Sequence, residues 1–400
     1  MALSRAFTWL FFAIISATLA CSAESDQPGY NGGGGGVGAA SGAGGSGGSP
    51  MGGGAGGVPS GGSGGLSSGG AAGSGGTVVG GGGSASVSCF PMPACNAPLP
   101  TFTKRPWKHS VASPVIVATG FANHRGRDLI LPPGMDQWVL GKTAYGVTDK
   151  DLKDEEVDIW LNRECGATWE KLGTALTTND GQHPTVEGAE DTGGRVYFKI
   201  PSSSALGIGR HRIRMVVAGD LSGTDQYIEI APPGTTYFIT DVDGTLTSKE
   251  TEEYSALLTG AVSDSNPDAG KALSLLAQKA FRPFYLTARP EFLVGRTREF
   301  VDVKGFPLGP VHTTFAFGAT GGAAVAFKKG EIDELQGRGF KVAYAFGNTD
   351  SDADSFFLAG IKPDDHRIFF QYTDTVNGGR RIEAYTELLG EFGALSKPCQ

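Results

Sequence analysis

The sequence predicts an all-β sandwich followed by an α/β domain with a mostly parallel sheet. Three features predict this order. Gly, Ser and Ala dominate residues 29–83, short apolar–polar alternations fill residues 98–233, and strand-like and helix-like runs alternate after residue 235. We therefore expect a signal peptide at 1–20, a linker at 21–88, the sandwich at 89–235 and the α/β domain at 236–400.

The chain begins with a pattern typical of an export signal. Arg5 is followed by the apolar run Phe7 to Ala20 and then by Cys21. At about 14 residues this run is short for a membrane span, so we interpret it as a signal peptide. Thr18 to Cys21 resembles a bacterial lipobox, which implies acylation of Cys21 and a lipoprotein of the bacterial cell envelope, in the periplasm or on the outer surface. An ordinary signal cleaved after Ala20 is the alternative.

The segment after the signal has the composition of a flexible tether. Gly, Ser and Ala make up most of residues 29–83, so there are few apolar side chains to bury. Nothing then offsets the entropy lost on ordering such a chain. A Gly-rich coil of this length reaches about 40 Å.

Charge and cysteine content narrow the class of protein. A net charge of −8 makes nucleic acid an unfavourable partner, because binding its phosphates needs a basic surface. If Cys21 is acylated, Cys89, Cys95, Cys165 and Cys399 remain. In an oxidising compartment these four allow three disulfide pairings, and the sequence leaves the pairing open. None of them forms a CxxC pair, so we expect no zinc site.

The region before residue 233 shows the two-residue alternation of half-buried antiparallel strands. The alternating apolar positions are Val157, Ile159 and Leu161, then Val196, Phe198 and Ile200, then Ile213, Met215 and Val217, then Ile228 and Ile230. Several short strands of this kind suggest a sandwich of immunoglobulin-like type. No group of residues here is typical of a catalytic site, so we expect the sandwich to space, orient or bind.

After Pro232-Pro233-Gly234 the pattern changes to alternating strands and helices. The expected strands include Tyr237 to Thr240, Phe281 to Leu286 and Lys341 to Phe346, and the expected helices begin near Pro267, Glu291 and Glu331. This alternation is typical of βαβ units and predicts a mostly parallel sheet. Because ligands of such sheets bind at the carboxyl ends of the strands, the polar residues that follow the strands are the candidates for chemistry.

The first strand ends in two carboxylates one residue apart, Asp241 and Asp243. We expect Asp241 to attack phosphorus and form an aspartyl-phosphate. Asp243 is expected to protonate the leaving oxygen and later to activate water. Gly244 allows a tight turn, and we expect Gly244 and Thr245 to lie against the substrate. An acidic turn that merely ends a strand is the alternative.

The second strand runs into Thr287, Ala288 and Arg289. A hydroxyl at this position can bind a phosphate oxygen without adding negative charge. Arg289 can grip a phosphate with two parallel hydrogen bonds. We therefore assign Thr287 to catalysis and Ala288 and Arg289 to substrate binding, with a purely structural threonine as the alternative.

A later strand leads into an oxygen-rich loop that contains Asn348 and Asp352. Mg²⁺ takes few protein ligands and keeps several waters. We expect Mg²⁺ to be held by Asp241, Asn348 and the backbone oxygen of Asp243, with Asp352 orienting the site or binding through water. A loop that caps the helix beginning near Ser351 is the alternative, and both roles can hold together.

Phosphoryl transfer also needs a cation near the nucleophile. Lys328 and Lys329 precede the helix expected near Glu331. We assign the role to Lys328, because its spacing to Ile332 and Leu335 places it just ahead of an apolar stripe. Lys329 remains the alternative.

In chain order, these elements resemble the motifs of the haloacid dehalogenase superfamily of phosphatases. The matching residues are Asp241 and Asp243 for the nucleophile motif, Thr287 for the hydroxyl motif, Lys328 for the lysine motif, and Asn348 and Asp352 for the acidic motif. The resemblance implies a Rossmann-like core and dependence on Mg²⁺.

One branch of that superfamily is more similar still. The run Asp241 to Thr245, the pair Thr297-Arg298, the run Pro307 to Pro310 and the amide at Asn348 resemble the catalytic (LNS2) domain of lipins. Lipins are Mg²⁺-dependent phosphatidate phosphatases, so the resemblance implies hydrolysis of phosphatidate to diacylglycerol. Some lipin-like domains bind phosphatidate without hydrolysing it, typically with a degraded nucleophile motif, whereas both aspartates are intact here.

The spacing of the motifs bears on the substrate. Only about 40 residues separate Thr245 from Thr287, and about as many separate Thr287 from Lys328, which leaves no room for a large cap domain over the site. An open site suits a headgroup at a membrane surface, so we expect a phosphorylated lipid as substrate. The alternatives are a phosphatase for a soluble or protein phosphomonoester and a non-catalytic module that binds phosphatidate.

Overall fold

The computed structural model describes residues 88–248 and 261–400. The predicted signal peptide, the predicted acylation site Cys21 and nearly all of the predicted linker lie outside these residues. Within the described residues, no helix is both long enough and apolar enough to span a membrane. Both predicted folded domains are described, apart from residues 249–260.

The first domain is a β-sandwich. Its elements are α1 (Ala112–Val117), β1 (Arg125–Gly126), β2 (Leu129–Leu131), β3 (Trp138–Lys142), β4 (Ala144–Tyr145), β5 (Lys150–Asp151), β6 (Glu156–Asn162), β7 (Glu170–Leu176), β8 (Arg195–Lys199), β9 (Gly209–Val217) and β10 (Gly223–Ile230). One sheet has the strand order β2-β10-β9-β6-β7, a second has the order β1-β3-β8, and β4 pairs with β5. The strands of this domain pair antiparallel, except that β2 runs parallel to β10.

The alternation seen in the sequence forms the inward faces of these sheets. Val157, Ile159 and Leu161 of β6 are fully buried and share one core with Val139 of β3 and Ile213 of β9. Burial of each such side chain contributes about 1.5–3 kcal/mol. The four alternating runs of the sequence fall in β6, β8, β9 and β10, as predicted, except that Ile200 directly follows β8.

The second domain is an α/β layer structure around one sheet. Its strands are β11 (Thr236–Thr240), β12 (Arg282–Pro290), β13 (Val311–Thr314), β14 (Lys341–Gly347), β15 (Arg367–Phe370) and β16 (Arg380–Ile382). Its helices are α2 (Ala269–Gln278), α3 (Val294–Val303), α4 (Gly321–Gly337), α5 (Asp350–Leu358) and α6 (Leu389–Ala394). The strand order is β13-β12-β11-β14-β15-β16, and every neighbouring pair is parallel. The predicted parallel sheet is confirmed.

Helices cover both faces of this sheet. Phe238 of β11 packs in a core that includes residues of α2, α3 and α6, whereas Tyr237 and Ile239 pack with residues of α4 and α5. The first strand of the domain thus lies in the middle of the sheet, buried on both sides. In this doubly wound order the direction of winding changes between β11 and β14, which is where such sheets bind ligands.

Helix α4 is longer than the sequence pattern indicates. It begins at Gly321, so the prediction of a helix that starts near Glu331 is wrong. Glycine lowers helix propensity, and the glycines at the start of α4 and at Gly330 conceal the helical pattern. Lys328 therefore lies inside a helix rather than ahead of one. The buried residues of α4 are Ala324, Lys328, Ile332 and Leu335, which share one face.

Two disulfides and a cation–π contact join distant parts of the chain. Cys89 pairs with Cys399 and Cys95 pairs with Cys165, which is one of the three possible pairings. Phe90 packs against the core of the α/β domain, where the Arg282 guanidinium lies 3.8 Å from the centre of its ring. The first described residues therefore contact the α/β domain, although the sequence assigns residues from 89 onward to the sandwich.

The two domains form one compact unit with a highly charged boundary. Ion pairs across it are Arg125–Glu291, Arg195–Glu291, Arg127–Glu331, Asp128–Arg298, Glu187–Arg338 and Glu229–Arg282. Most of these side chains are at least four-fifths buried, where opposite charges interact more strongly than they do in water.

Candidate active site

The predicted site residues lie at the carboxyl edge of the parallel sheet. Asp241 directly follows β11, and Asn348 directly follows the neighbouring strand β14. The backbone N–H of Asp241 donates to the carbonyl of Phe346 at 2.9 Å, which extends the strand pairing by one residue. This register brings the ends of the two central strands together.

A buried lysine connects Asp241 to Asp352. The Lys328 ammonium donates to Asp241 Oδ1 at 2.8 Å and to Asp352 Oδ1 at 2.5 Å. All three side chains are at most 6 % exposed. Lys329, in contrast, points away and pairs with Asp333 at the surface. The structure thus places Lys328, and not Lys329, beside the predicted nucleophile.

The charges of this cluster shift one another's pKa. Burial is the largest effect on Asp241 and raises its pKa to about 7, against the lowering effect of Lys328. Burial lowers the pKa of Lys328, but Asp241 and Asp352 outweigh it and hold that pKa above its ordinary value. Lys328 is therefore a permanent cation next to Asp241.

Both oxygens of the Asp352 carboxylate accept hydrogen bonds. Its Oδ1 accepts from Lys328, and its Oδ2 accepts from the Thr349 hydroxyl at 2.8 Å and from the backbone N–H of Asn348 at 3.1 Å. Thr349 and Asp352 form the capping box that begins α5. The helix-capping alternative is therefore correct for this loop, and the same carboxylate also positions Lys328.

The loop after β11 brings further oxygens together. The Thr245 hydroxyl lies 2.7 Å from Asn348 Oδ1 and 3.3 Å from Asp241 Oδ2, so the amide and carboxylate oxygens converge. Gly244 has φ +70°, a conformation that a residue with a side chain rarely adopts. The tight turn predicted at Gly244 is present.

Asn266 is a residue of the site that was not among the predicted ones. Its side-chain amide donates to the carbonyls of Gly244, Thr245 and Thr247 at 2.8–3.1 Å and so holds the loop closed. The sequence pattern indicated Asn266-Pro267 as the start of a helix, but α2 begins at Ala269. No local signal distinguishes a capping asparagine from one that binds a distant loop.

Asp243 is paired with Arg289. The guanidinium donates to both carboxylate oxygens of Asp243, at 2.8 Å and 2.6 Å. Arg289 also donates to the Thr297 hydroxyl at 2.9 Å, and Thr287 Oγ1 lies 3.4 Å from Asp243 Oδ2. The sequence predicted that Arg289 would grip a phosphate, and here its fork holds a carboxylate of the site.

Ala288, the remaining predicted residue, holds a loop at the rim of the site. The Ala288 carbonyl accepts from the backbone N–H of Ala319 at 3.0 Å, which holds the loop between β13 and α4 against the end of β12. That loop carries Phe317, whose side chain is 86 % exposed, and its ring lies 6.1 Å from that of Phe292. An exposed aromatic side chain therefore lies next to the Thr287–Arg289 segment.

The donor atoms of this site fit a hard, sparsely bound cation. Asp241 and Asn348 supply converging oxygens, and the backbone oxygen of Asp243 follows in the same loop. Among the described residues, no three His, Cys, Asp or Glu side chains converge as a metal site. A cation bound here would rely on few protein oxygens and on water, which is how Mg²⁺ is usually held, whereas Ca²⁺ takes more ligands.

Two family models match the chain. Residues 122–230 match the model described as PITM 1-3, beta-sandwich domain, and residues 238–370 match the model described as PITM 1-3, LNS2 domain. The chain therefore contains a β-sandwich domain followed by an LNS2 domain, in agreement with the lipin-type motifs of the sequence.

Curated relatives show the same similarity. "Protein retinal degeneration B" of Drosophila melanogaster is 26% identical over 246 residues, which are 61% of this chain and 18% of that protein. "Membrane-associated phosphatidylinositol transfer protein 2" of Homo sapiens is 28% identical over 192 residues, or 48% of this chain and 13% of that protein. The chain spans less than a fifth of the length of either relative.

Among solved structures, an amylomaltase from Corynebacterium glutamicum has a TM-score of 0.17 at 15% identity, covering 41% of this chain and 21% of its own. A similarity this low carries no argument about fold or function.

The predicted location is wrong. The sequence pattern suggested a lipoprotein of the bacterial cell envelope, but the matching relatives are proteins of animals, two of them named as membrane-associated. They point to a eukaryotic protein. A lipobox is a short pattern of small and apolar residues, and such a pattern also arises without acylation.

Proposed function

We propose that this chain is a Mg²⁺-dependent phosphatase of lipid phosphomonoesters, acting on phosphatidate through an aspartyl-phosphate on a haloacid dehalogenase core. The observation that carries the proposal is the buried ammonium of Lys328 between Asp241 and Asp352. These residues come from three separate segments of the chain and meet at the ligand-binding edge of the sheet. Buried ion pairs also join the two domains, so it is the position of this one at the carboxyl edge of the central strand, and not its burial alone, that favours a chemical role.

The chain's own residues supply the steps of the reaction. A carboxylate oxygen of Asp241 attacks phosphorus, and the bond between phosphorus and the lipid oxygen breaks. Asp243 gives its proton to the leaving alcohol, then takes a proton from the water that hydrolyses the aspartyl-phosphate. Lys328 neutralises the charge around Asp241, and Thr287 donates to a phosphate oxygen.

Mg²⁺ would be held by Asp241, Asn348 and the backbone oxygen of Asp243, and it would supply Lewis-acid charge at the phosphoryl oxygens. Arg289 has a second role in this proposal. Its guanidinium leaves Asp243 to grip the incoming phosphate, which has the same fork geometry, and so frees Asp243 for proton transfer.

Two observations favour a lipid over a soluble substrate. Phe317 is exposed at the rim of the site, and an exposed phenyl ring can bury its apolar surface at the headgroup–acyl boundary of a membrane. The relatives are named as membrane-associated phosphatidylinositol transfer proteins, which makes a lipid the natural class of ligand. Those names also favour the second candidate function, binding of phosphatidate without hydrolysis.

One assay separates these functions. Phosphate release is measured from vesicles of phosphatidylcholine containing phosphatidate and from p-nitrophenyl phosphate, with Mg²⁺, Ca²⁺ or EDTA. We expect release from the vesicles with Mg²⁺, little with Ca²⁺ and none with EDTA. Asp241→Asn keeps the shape of the side chain but removes the nucleophile, so we expect a loss of about 10³-fold or more.

The controls decide between the alternatives. Asp365→Asn changes an exposed carboxylate away from the site and should leave the rate unchanged. Vesicle binding by wild-type protein without phosphate release in Mg²⁺ would identify a binding module. A preference for p-nitrophenyl phosphate over the vesicles would identify a phosphatase of soluble esters.

A further inference from the structure

The segment that carries Arg289 is held by the sandwich at two points. It runs from Arg289 at the end of β12 through a short 3₁₀ turn (Glu291–Leu293) to Arg298 in α3. Glu291 and Arg298 each form ion pairs with residues of the sandwich. Between these points lies Thr297, which contacts the guanidinium of Arg289.

The first attachment is Glu291. Arg125 donates to its Oε1 at 3.0 Å, and Arg195 donates to both of its oxygens, at 3.0 and 3.2 Å. The side chains of both arginines are 5 % exposed, and that of Glu291 is 13 % exposed. Two cations from the sandwich therefore fix a carboxylate two residues after Arg289.

The second attachment is Asp128. Its carboxylate is fully buried and accepts from Arg298 at 2.6 Å, from the backbone N–H of Tyr227 at 2.7 Å and from that of Val311 at 2.9 Å. Arg298 also donates to the carbonyls of Asp225 and Gly126, each at 2.9 Å. Helix α3 is thus fixed to the edge of the sandwich next to Thr297.

Thr297 passes this restraint to the site. Its hydroxyl donates to the Leu293 carbonyl at 3.0 Å, so a lone pair of the same oxygen faces Arg289 and accepts at 2.9 Å. The guanidinium of Arg289 is then fixed by Thr297 on one edge and by Asp243 on the other. The orientation of the Arg289 guanidinium plane therefore depends on the position of α3, which carries Thr297.

We infer that Asp128 is a positioning residue for phosphate recognition: through Arg298 and Thr297 it sets the orientation of Arg289, so the sandwich is part of the phosphate site. This inference rests on the proposed function. Ion pairs between domains in general only join the domains, but the pairs made by Glu291 and Arg298 lie within the ten residues from Arg289 to Arg298. Displacement of a catalytic group by about 1 Å costs up to 10²-fold in rate.

The chain offers a matched control for this idea. Glu187 of the sandwich pairs with Arg338 at the end of α4, and these side chains are 14 % and 11 % exposed. This pair also joins the two domains, but it does not touch the Arg289 segment. A general loosening of the boundary should therefore affect Glu187→Gln as much as Asp128→Asn.

The test uses the full chain and p-nitrophenyl phosphate as well as phosphatidate vesicles, with kcat and KM measured separately. Asp128→Asn keeps the side-chain shape but removes the charge that binds Arg298. Its single oxygen can accept from only one of the Tyr227 and Val311 N–H groups, which donate to different oxygens of Asp128. We expect kcat/KM to fall by about 10- to 10²-fold on both substrates. Glu187→Gln should stay within about twofold of wild type, because it does not bear on Arg289.

A double-mutant cycle excludes a purely structural effect. Arg289→Lys loses the two-pronged grip, so Asp128→Asn should cause little further loss in that background. If Asp128→Asn proves unstable, Thr297→Val takes its place in the cycle. It removes the hydroxyl that accepts from Arg289 and leaves the ion pairs between the domains intact, and we expect it too to cause little further loss in the Arg289→Lys background. Equal losses in both backgrounds, equal losses for Glu187→Gln, or no loss in a folded Asp128→Asn protein would each overturn the inference.

The two proposals fail in different ways. If the wild-type protein releases no phosphate, the proposed chemistry is wrong, and the same variants are compared by cosedimentation with the phosphatidate vesicles. Weaker binding by Asp128→Asn and Thr297→Val, with unchanged binding by Glu187→Gln, would still support the positioning role. Binding that is equal in all three would refute it.

Discussion

At Gly347 the backbone passes so close to Asp352 that no side chain fits. A Cβ there would lie 2.3 Å from the Cβ of Asp352. Gly347→Ala should therefore displace Asp352 and remove one of the two carboxylates that hold Lys328. We expect phosphate release to fall by about 10²-fold and the free energy of unfolding by about 1–3 kcal/mol.

The control for this substitution is Gly330→Ala. A Cβ at Gly330 meets nothing within 4 Å, and the residue lies inside helix α4. Replacing glycine by alanine in a helix interior raises stability by about 0.5–1 kcal/mol, and the rate should not change. Urea unfolding and phosphate release measured on both variants would contradict the explanation if Gly347→Ala behaved like Gly330→Ala.

Individual site residues were predictable where they follow the apolar run of a strand. Asp241, Thr287 and Asn348 each come just after an apolar run, and parallel strands bring such ends together. The choice of Lys328 over Lys329 was also made from spacing, because Lys328 shares a face with Ile332 and Leu335. The roles of these residues in catalysis remain predictions.

Partners that depend on tertiary contact were not predictable. Nothing near Arg289 in the sequence indicates that its fork would hold Asp243 or that Thr297 would fix its plane. Asp128 lies far from every motif, in a domain for which the sequence suggests no chemistry. Such pairs are set by how two domains pack, and short sequence patterns carry no information about that.

At the scale of elements, β15 and β16 are two of the strands that the sequence pattern did not indicate, and both contain arginine. β15 begins with Arg367, whose side chain is fully buried and donates to the carbonyls of Ile361 and Asn377. β16 contains two arginines in three residues. Charged residues usually indicate an exposed segment, so the sequences of β15 and β16 resemble those of loops.

Helix α4 bears on the site with one face and on the sandwich with another. Glu331 accepts from Arg127 of the sandwich and pairs with His312 of β13. Burial, the largest effect, would raise the pKa of Glu331, but Arg127 and His312 outweigh it and hold that pKa at about 2. The charged form of Glu331 is therefore stabilised by folding.

This pairing predicts acid sensitivity of the domain boundary. The pKa of Glu331 is lower in the folded than in the unfolded state, so its contribution is complete above about pH 4.5 and is lost as the pH falls towards 2. Its size is at most about 3 kcal/mol. Urea unfolding at pH values between about 6 and 3, which span the ordinary glutamate pKa, measures how the free energy of unfolding changes with pH.

Glu331→Gln should be less stable at neutral pH and should lose this part of the pH dependence. Asp365→Asn, which changes an exposed carboxylate, should keep the wild-type slope. An unchanged slope in Glu331→Gln would show that other carboxylates govern the acid response.

For the whole molecule, the disulfide between Cys89 and Cys399 closes a loop with a sequence separation of 310 residues. In the chain-entropy description, restricting an unfolded chain of this length stabilises the folded state by about 5 kcal/mol. Replacing both cysteines by serine should lower the free energy of unfolding by an amount of that order. The measurement is urea unfolding, with reductant added in parallel.

The second disulfide provides the comparison. Cys95 and Cys165 enclose 70 residues, so replacing this pair should cost somewhat less. Reductant should lower the midpoint of the wild type below that of either double variant. A wild-type midpoint that does not respond to reductant would contradict the expected contribution.

The Cys89–Cys399 bond also gives the sandwich a second covalent connection to the α/β domain. The sandwich leaves the α/β domain near Phe90 and returns to it near Gly234, and these two places line the same small cavity with Cys399. A domain joined to another by a single connector can swing in every direction. A domain joined by two connectors can rotate only about the line that passes through both of them. The boundary ion pairs then need to oppose a single rotation rather than three, and a change at the sandwich surface reaches Arg289 along one defined coordinate.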